Sequence, residues 1–129
     1  MKKSFSDKTP MSCCYRQHAI CFGYREAVIL FHFMYWINFN RKQKQHLHEN
    51  RYWTYSSIST LQHSYFPFWS ESQIRRAILS LLKQDVIIKG NYNKIRYDKT
   101  SWYALRNEDG LAELAIPFDE HDRSDELQW

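Results

Sequence analysis

The chain has 129 residues and a net charge of +4, with 43% hydrophobic, 25% charged and 17% aromatic residues. That suffices for one domain with a hydrophobic core, leaves no room for two of ordinary size, and excludes collagen-like or broadly disordered organisation. The charge is unevenly placed: residues 41–106 carry twelve basic and four acidic side chains, whereas residues 107–129 carry one basic and eight acidic ones. The middle is therefore the part suited to an anionic polymer, and the end would be repelled by one.

Residues 1–24 show no sustained period and are interrupted by Pro10 and Gly23, so they read as a partly ordered N-terminal arm. The opening "MKKSFSDKTP" has lysines but no adjoining apolar stretch, so no signal peptide is expected, and a cytoplasmic location follows as the default. Cys13, Cys14 and Cys21 are an odd number without a framework spacing and are expected to be reduced thiols.

"REAVILFHFMYWINFN" predicts a first helix from about Arg25 to Phe39, apolar on nearly all sides. Its apolar run of thirteen residues falls short of the roughly 20 needed to cross a membrane. Such a helix needs more cover than a small domain offers from one side. Either it is central to the core, or its spare face meets the same helix of a second copy in a homodimer through Val28, Phe31, Met34 and Tyr35; a monomer whose aromatic N-terminal arm wraps the helix is the plainer reading.

The polar run Asn40–Arg51 reads as a linker or exposed helix end, followed by a short helix in "WTYSSISTLQHSYF" that Ser56 or Ser57 could cap. Pro67 interrupts it. In "WSESQIRRAILSLLKQD" a new helix is expected over 71–84: Ser70 and Gln73 have capping-box spacing, Trp69 and Ile74 suit a hydrophobic staple, and Ile74, Ala77, Ile78, Leu81 and Leu82 form one apolar stripe. The period then becomes that of a strand in "VIIKG" and again in "SWYAL", joined by the polar loop Asn91–Thr100. The expected fold is mainly α with a small β hairpin, a winged helix-turn-helix over 25–106. An acidic tail follows over 107–129, in which "LAELAIPF" is apolar enough for a short docking helix or strand.

Helix and wing are two surfaces that such a fold presents to duplex DNA at once. Ser72, Arg75, Arg76 and Lys83 are the candidate contacts on the helix, Lys89 on the strand leading to the wing, and Lys94, Arg96 and Lys99 in the wing. Arginine can fork onto a guanine edge or two phosphate oxygens, and wing lysines can follow a phosphate ridge. Gln73 is discounted because the capping box uses it. Any one of these residues also reads as a solvated surface charge. The aromatic residues, Tyr92, Tyr97 and Trp102 among them, suit core packing better than single-strand stacking.

No cluster of reactive side chains argues for an enzyme, and no cofactor or metal is expected. Cys13, Cys14, His18 and Cys21 miss the usual zinc spacings, and His46, His48 and Glu49 read better as solvated residues of a polar linker. The tail carboxylates lack the rigid pairing of a two-metal site.

The segments "EAVILFHFMYWI" (26–37), "RYWTYSSISTL" (51–61) and "FPFWSESQIRRAILSLLKQDVIIKGNYNKIRYDKTSWYAL" (66–105) resemble the N-terminal winged-helix region of replication initiators and replisome organisers from bacteriophages and mobile elements of bacteria. The resemblance implies origin-DNA binding, often within multimers that help bring a helicase to the site. It places Gln73, Ile74, Arg75 and Arg76 on the recognition helix, and it has Asp98 and Thr100 fixing the wing by local hydrogen bonds. Asp85 stands where a glycine is expected. Members of that family usually continue into a further domain, whereas a short acidic tail follows here, so an accessory role or a small transcriptional regulator is the expectation for this form. The acidic tail could then meet a replication protein. A winged module that binds protein rather than DNA is the alternative.

Overall fold

The structure, a computed structural model, describes residues 14–98 and 100–115. It is a mixed α and β domain. In chain order it contains α1 (Arg16–Phe22), α2 (Tyr24–Gln43), β1 (Leu47–His48), β2 (Arg51–Tyr52), β3 (Thr54–Ser56), α3 (Ile58–Thr60) running into a π-helical turn (Leu61–Tyr65), α4 (Glu71–Lys83), β4 (Ile87–Gly90), β5 (Ser101–Leu105) and α5 (Glu108–Ala115). Strands β1 and β2 form a small hairpin, and a separate antiparallel sheet has the order β3-β5-β4.

Helix α2 is central, as an all-round apolar sequence requires. Four consecutive residues, Ala27, Val28, Ile29 and Leu30, are buried, which is possible only when neighbours cover the helix on every side. Helices α1 and α4 and the sheet supply that cover. The N-terminal arm expected over 1–24 therefore needs correction for its second half: residues 16–22 are a helix packed on α2 and α5. Residues 1–13 lie outside the described part. Buried His18 joins the two ends of the domain, its Nε2–H donating to the Leu111 carbonyl of α5 at 3.0 Å. The first eight or so residues of the expected tail are thus tied into the fold through α5, and residues 116–129 lie outside the described part.

Of the two readings of Asn40–Arg51, the helix end holds as far as Gln43, and the linker is corrected beyond it. Helix α2 runs on to Gln43 and ends at Lys44 in left-handed geometry, and the β1–β2 hairpin follows at once. Asn40, buried at the end of α2, donates from Nδ2 to the Trp53 carbonyl at 2.7 Å and accepts from Gln45. Among the described residues no helix is long and apolar enough to cross a membrane.

The three-stranded sheet has two occupied faces. Ile87, Tyr103 and Leu105 point into the helical core, with Tyr103 stacked on Phe33 of α2 at 4.8 Å. Trp53, Trp102 and Ala104 form a second buried layer on the opposite face, joined by Ile88 and Tyr92. The hairpin folds over that layer: His48 lies flat on Tyr92, with ring centroids 4.1 Å apart, and accepts the Trp53 indole N–H at its carbonyl.

Candidate nucleic-acid interface

Helix α4 starts as its sequence requires. The Ser70 side chain accepts from Gln73 N at 3.1 Å, and Gln73 Oε1 accepts from Ser70 N at 2.9 Å, completing the capping box. Trp69 lies half-buried against the core and takes the Arg25 guanidinium over its ring at 5.4 Å. The helix closes equally well. Val86 N donates to Leu81 O and Asp85 N to Leu82 O, the bond pair of a Schellman motif, with Asp85 at a φ of 62° in the place usually held by glycine. Arg106 reaches Asp85 Oδ1 at 3.1 Å, so the unusual aspartate gains a partner.

With both ends anchored and Ile74, Ala77, Ile78 and Leu81 buried, the opposite face is presented to solvent. Ser72, Arg75, Arg76 and Lys83 are all exposed there, and so is Leu79. The helix has cations along that face and one carboxylate, Glu71, in its first turn.

The loop between β4 and β5 is held by side-chain hydrogen bonds. Asn93 Nδ2 donates to the carbonyls of Asp98 (2.9 Å) and Thr100 (2.8 Å), while its Oδ1 accepts from Trp102 Nε1 at 2.7 Å. Asn91 Oδ1 accepts from Asn93 N. Asp98 Oδ1 accepts from both the backbone N–H and the hydroxyl of Thr100, and these two bonds hold its carboxyl below the usual range. The loop tip then exposes Lys94, Ile95, Arg96 and Tyr97, the last being 81% exposed.

The basic residues of this region have different neighbours. Lys89 and Arg96 line a single open cleft of about 270 Å³, together with Asp98, Thr100 and Ser101. Lys94 is instead close enough to His46 to add to the effect of burial and of His48, all three lowering the affinity of His46 for a proton. Lys99 lies outside the described residues. The wing thus offers one cationic cleft and one lysine beside the outer aromatic layer, a division that linear spacing did not reveal. Ile95 and Tyr97 alternate with Lys94 and Arg96, and that alternation was the available signal for an apolar tip between cations.

Of the four residues expected at a dimer face, Val28 needs correction: it is 1% exposed, inside the core. Met34 packs on that core and Phe31 lies 5.4 Å from the ring of Tyr15, so the chain itself covers most of the face. Tyr35 remains exposed. Among the described residues no three His, Cys, Asp or Glu side chains gather to hold a metal; Cys13 lies outside them. His46 packs its ring on Tyr55 and Trp102 at 5.3 Å, so it is a packing residue of the outer layer and not a solvated linker histidine.

Comparison with protein-family models, curated proteins and solved structures gives no match for this chain.

Proposed function

We propose that the chain is a double-stranded DNA-binding protein of winged helix-turn-helix type, with α4 reading the major groove and the loop 91–100 contacting the backbone beside it. The observation that carries this reading is the pairing of two rigid basic surfaces: an α4 capped at both ends that exposes Ser72, Arg75, Arg76 and Lys83, and a loop braced by Asn93 and Asp98 that exposes Lys94 and Arg96. A braced backbone under these cations adds little ordering cost of its own on binding a polyanion. The element order α2, β3, α3, α4, β4, β5, with β3 pairing β5, supports the winged-helix assignment. The resemblance of segments within about residues 25–106 to replication initiators and replisome organisers supports a protein of that type, with a small transcriptional regulator or a protein-interaction module as the alternative.

Selection from a random duplex library, using the wild type and the Arg75→Ala, Arg76→Ala double variant at two salt concentrations, tests the reading. Enrichment of one motif, weakened by the substitutions and by salt, supports specific recognition through α4. Equal retention of duplex by both proteins rejects recognition through α4, and retention by neither rejects duplex binding and favours a protein-interaction module.

A further inference from the structure

Between α2, β3 and the segment formed by α3 and the π-helical turn lies a cleft of about 280 Å³ that the duplex reading does not use. One wall is a helical stripe of α2, His32, Trp36 and Phe39, at spacings of four and three. The facing wall is Tyr55 of β3, Thr60 of α3 and Tyr65 of the π-helical turn, with His46 at the end nearest the hairpin. The turn is made by Phe66 N donating to Leu61 O at 2.8 Å, one residue wider than an α-helical bond. The widened turn carries Tyr65 against His32, with ring centroids 4.4 Å apart. Such single π turns are frequent at functional sites.

The chemistry of the lining narrows the ligand. Among the described residues that line it, none is Asp, Glu, Lys or Arg, so neither a phosphate nor an ammonium group finds a counter-charge. Burial pushes His32 down to about 4, so at neutral pH its ring is uncharged, with one N–H donor and one lone-pair acceptor. The Thr60 hydroxyl accepts from Ser57 Oγ at 3.0 Å, which leaves its own hydrogen to donate. An alkyl ligand would bury these polar groups without partners, and an amino acid would bring two unmatched charges. What remains is a flat, neutral ring system with both donors and acceptors on its edge. A volume of about 280 Å³ sits at the lower limit of the roughly 300–1,000 Å³ usual for small-molecule sites, which suits one such ring system.

We propose that this cleft binds a single neutral nucleobase, stacked on its aromatic walls and hydrogen-bonded at its edge by His32 and Thr60. The base can belong to a free nucleoside or to an unpaired position of a single strand; a paired base is hidden in its stack and cannot enter. The inference therefore stands or falls separately from duplex binding by α4.

The test is a ¹H–¹⁵N correlation titration of the full chain with each of four nucleosides, then with a short single-stranded DNA and the same strand bearing abasic sites. Amide shifts confined to residues 32–40 and 54–65 are expected, with binding weakened about tenfold in His32→Phe, which removes both hydrogen-bonding atoms and keeps an aromatic ring. Thr60→Val, at an exposed position, supplies a second variant should His32→Phe perturb the fold, and is expected to weaken binding several-fold. Shifts with nucleosides assign a free ligand; shifts with the intact strand that vanish in the abasic one assign a strand base. Absence of localised shifts with every probe at about 5 mM, weaker than any useful affinity, overturns the proposal. Binding unchanged in a folded variant does so too.

Discussion

The Trp102 indole N–H donates to Asn93 Oδ1 at 2.7 Å, and through that bond the buried outer layer of the sheet sets the shape of the loop that exposes Lys94 and Arg96. Asn93 spends its other end on two loop carbonyls, so one side chain joins core and loop. Asn93→Ala leaves the indole N–H without its acceptor and is expected to cost about 1–3 kcal/mol, read from urea unfolding. On the duplex-binding reading it also weakens DNA affinity, through loss of loop order. Asn93→Asp keeps the acceptor but turns a carboxylate oxygen on the two carbonyls that Nδ2 bridged, so it should be no more stable than Asn93→Ala. Equal stability of the alanine variant and the wild type would remove this role.

Gly90 packs closely under two aromatic rings. A Cβ there would sit 3.0 Å from Trp53 Cζ3 and 3.0 Å from Tyr92 Cε2, both rings of the outer layer. Gly90→Ala must push one ring aside, at a cost of about 1–3 kcal/mol. The displaced ring should be visible as a changed near-ultraviolet circular dichroism signal, and an unchanged signal with unchanged stability would contradict the packing described.

Stability should fall as the solution is acidified, through His32. Its pKa drops from the ordinary 6.5 to about 4 on folding because the buried ring resists charge. Between these values the unfolded chain binds a proton that the folded chain does not. Stability is therefore complete above about pH 6.5 and declines towards pH 4, by an amount on the order of 3 kcal/mol. His32→Phe should flatten that part of the pH profile, measured by denaturant midpoints; an equally steep profile in the variant would place the titration elsewhere.

Arg76 is exposed opposite the buried stripe of α4 and Arg75 is exposed at its border, so replacing either by alanine should change unfolding stability by no more than about 0.5 kcal/mol. If each meets one phosphate, the log–log salt dependence of duplex affinity should lose about one unit of slope per residue removed. If one of them reads a guanine edge, affinity for the selected motif should fall by about 1–3 kcal/mol while non-specific affinity falls less. Salt titrations of both single variants separate these outcomes.

Helix α4 was legible in the sequence because its determinants are local. Capping box, apolar stripe and left-handed exit at Asp85 all lie within residues 70–86, and neighbours three or four positions apart meet whatever the rest of the chain does. The hairpin strands and the Asp98–Thr100 turn were legible for the same reason. The β1–β2 hairpin was not: His46, Glu49 and Asn50 all adopt positive φ without a glycine to announce it, and the segment is held by Trp53, Tyr92 and Trp102 beneath it. Helix α1 was equally hidden, since its place depends on His18 meeting Leu111, 93 residues away. The sequence by itself determined that α2 must be enclosed, because a helix apolar on all sides cannot face water. Only the tertiary structure decided that α1, α4 and the sheet enclose it, and that His32 and Tyr65 share a cleft, because contacts between distant segments depend on the packing of the whole chain and leave no periodic trace in either one.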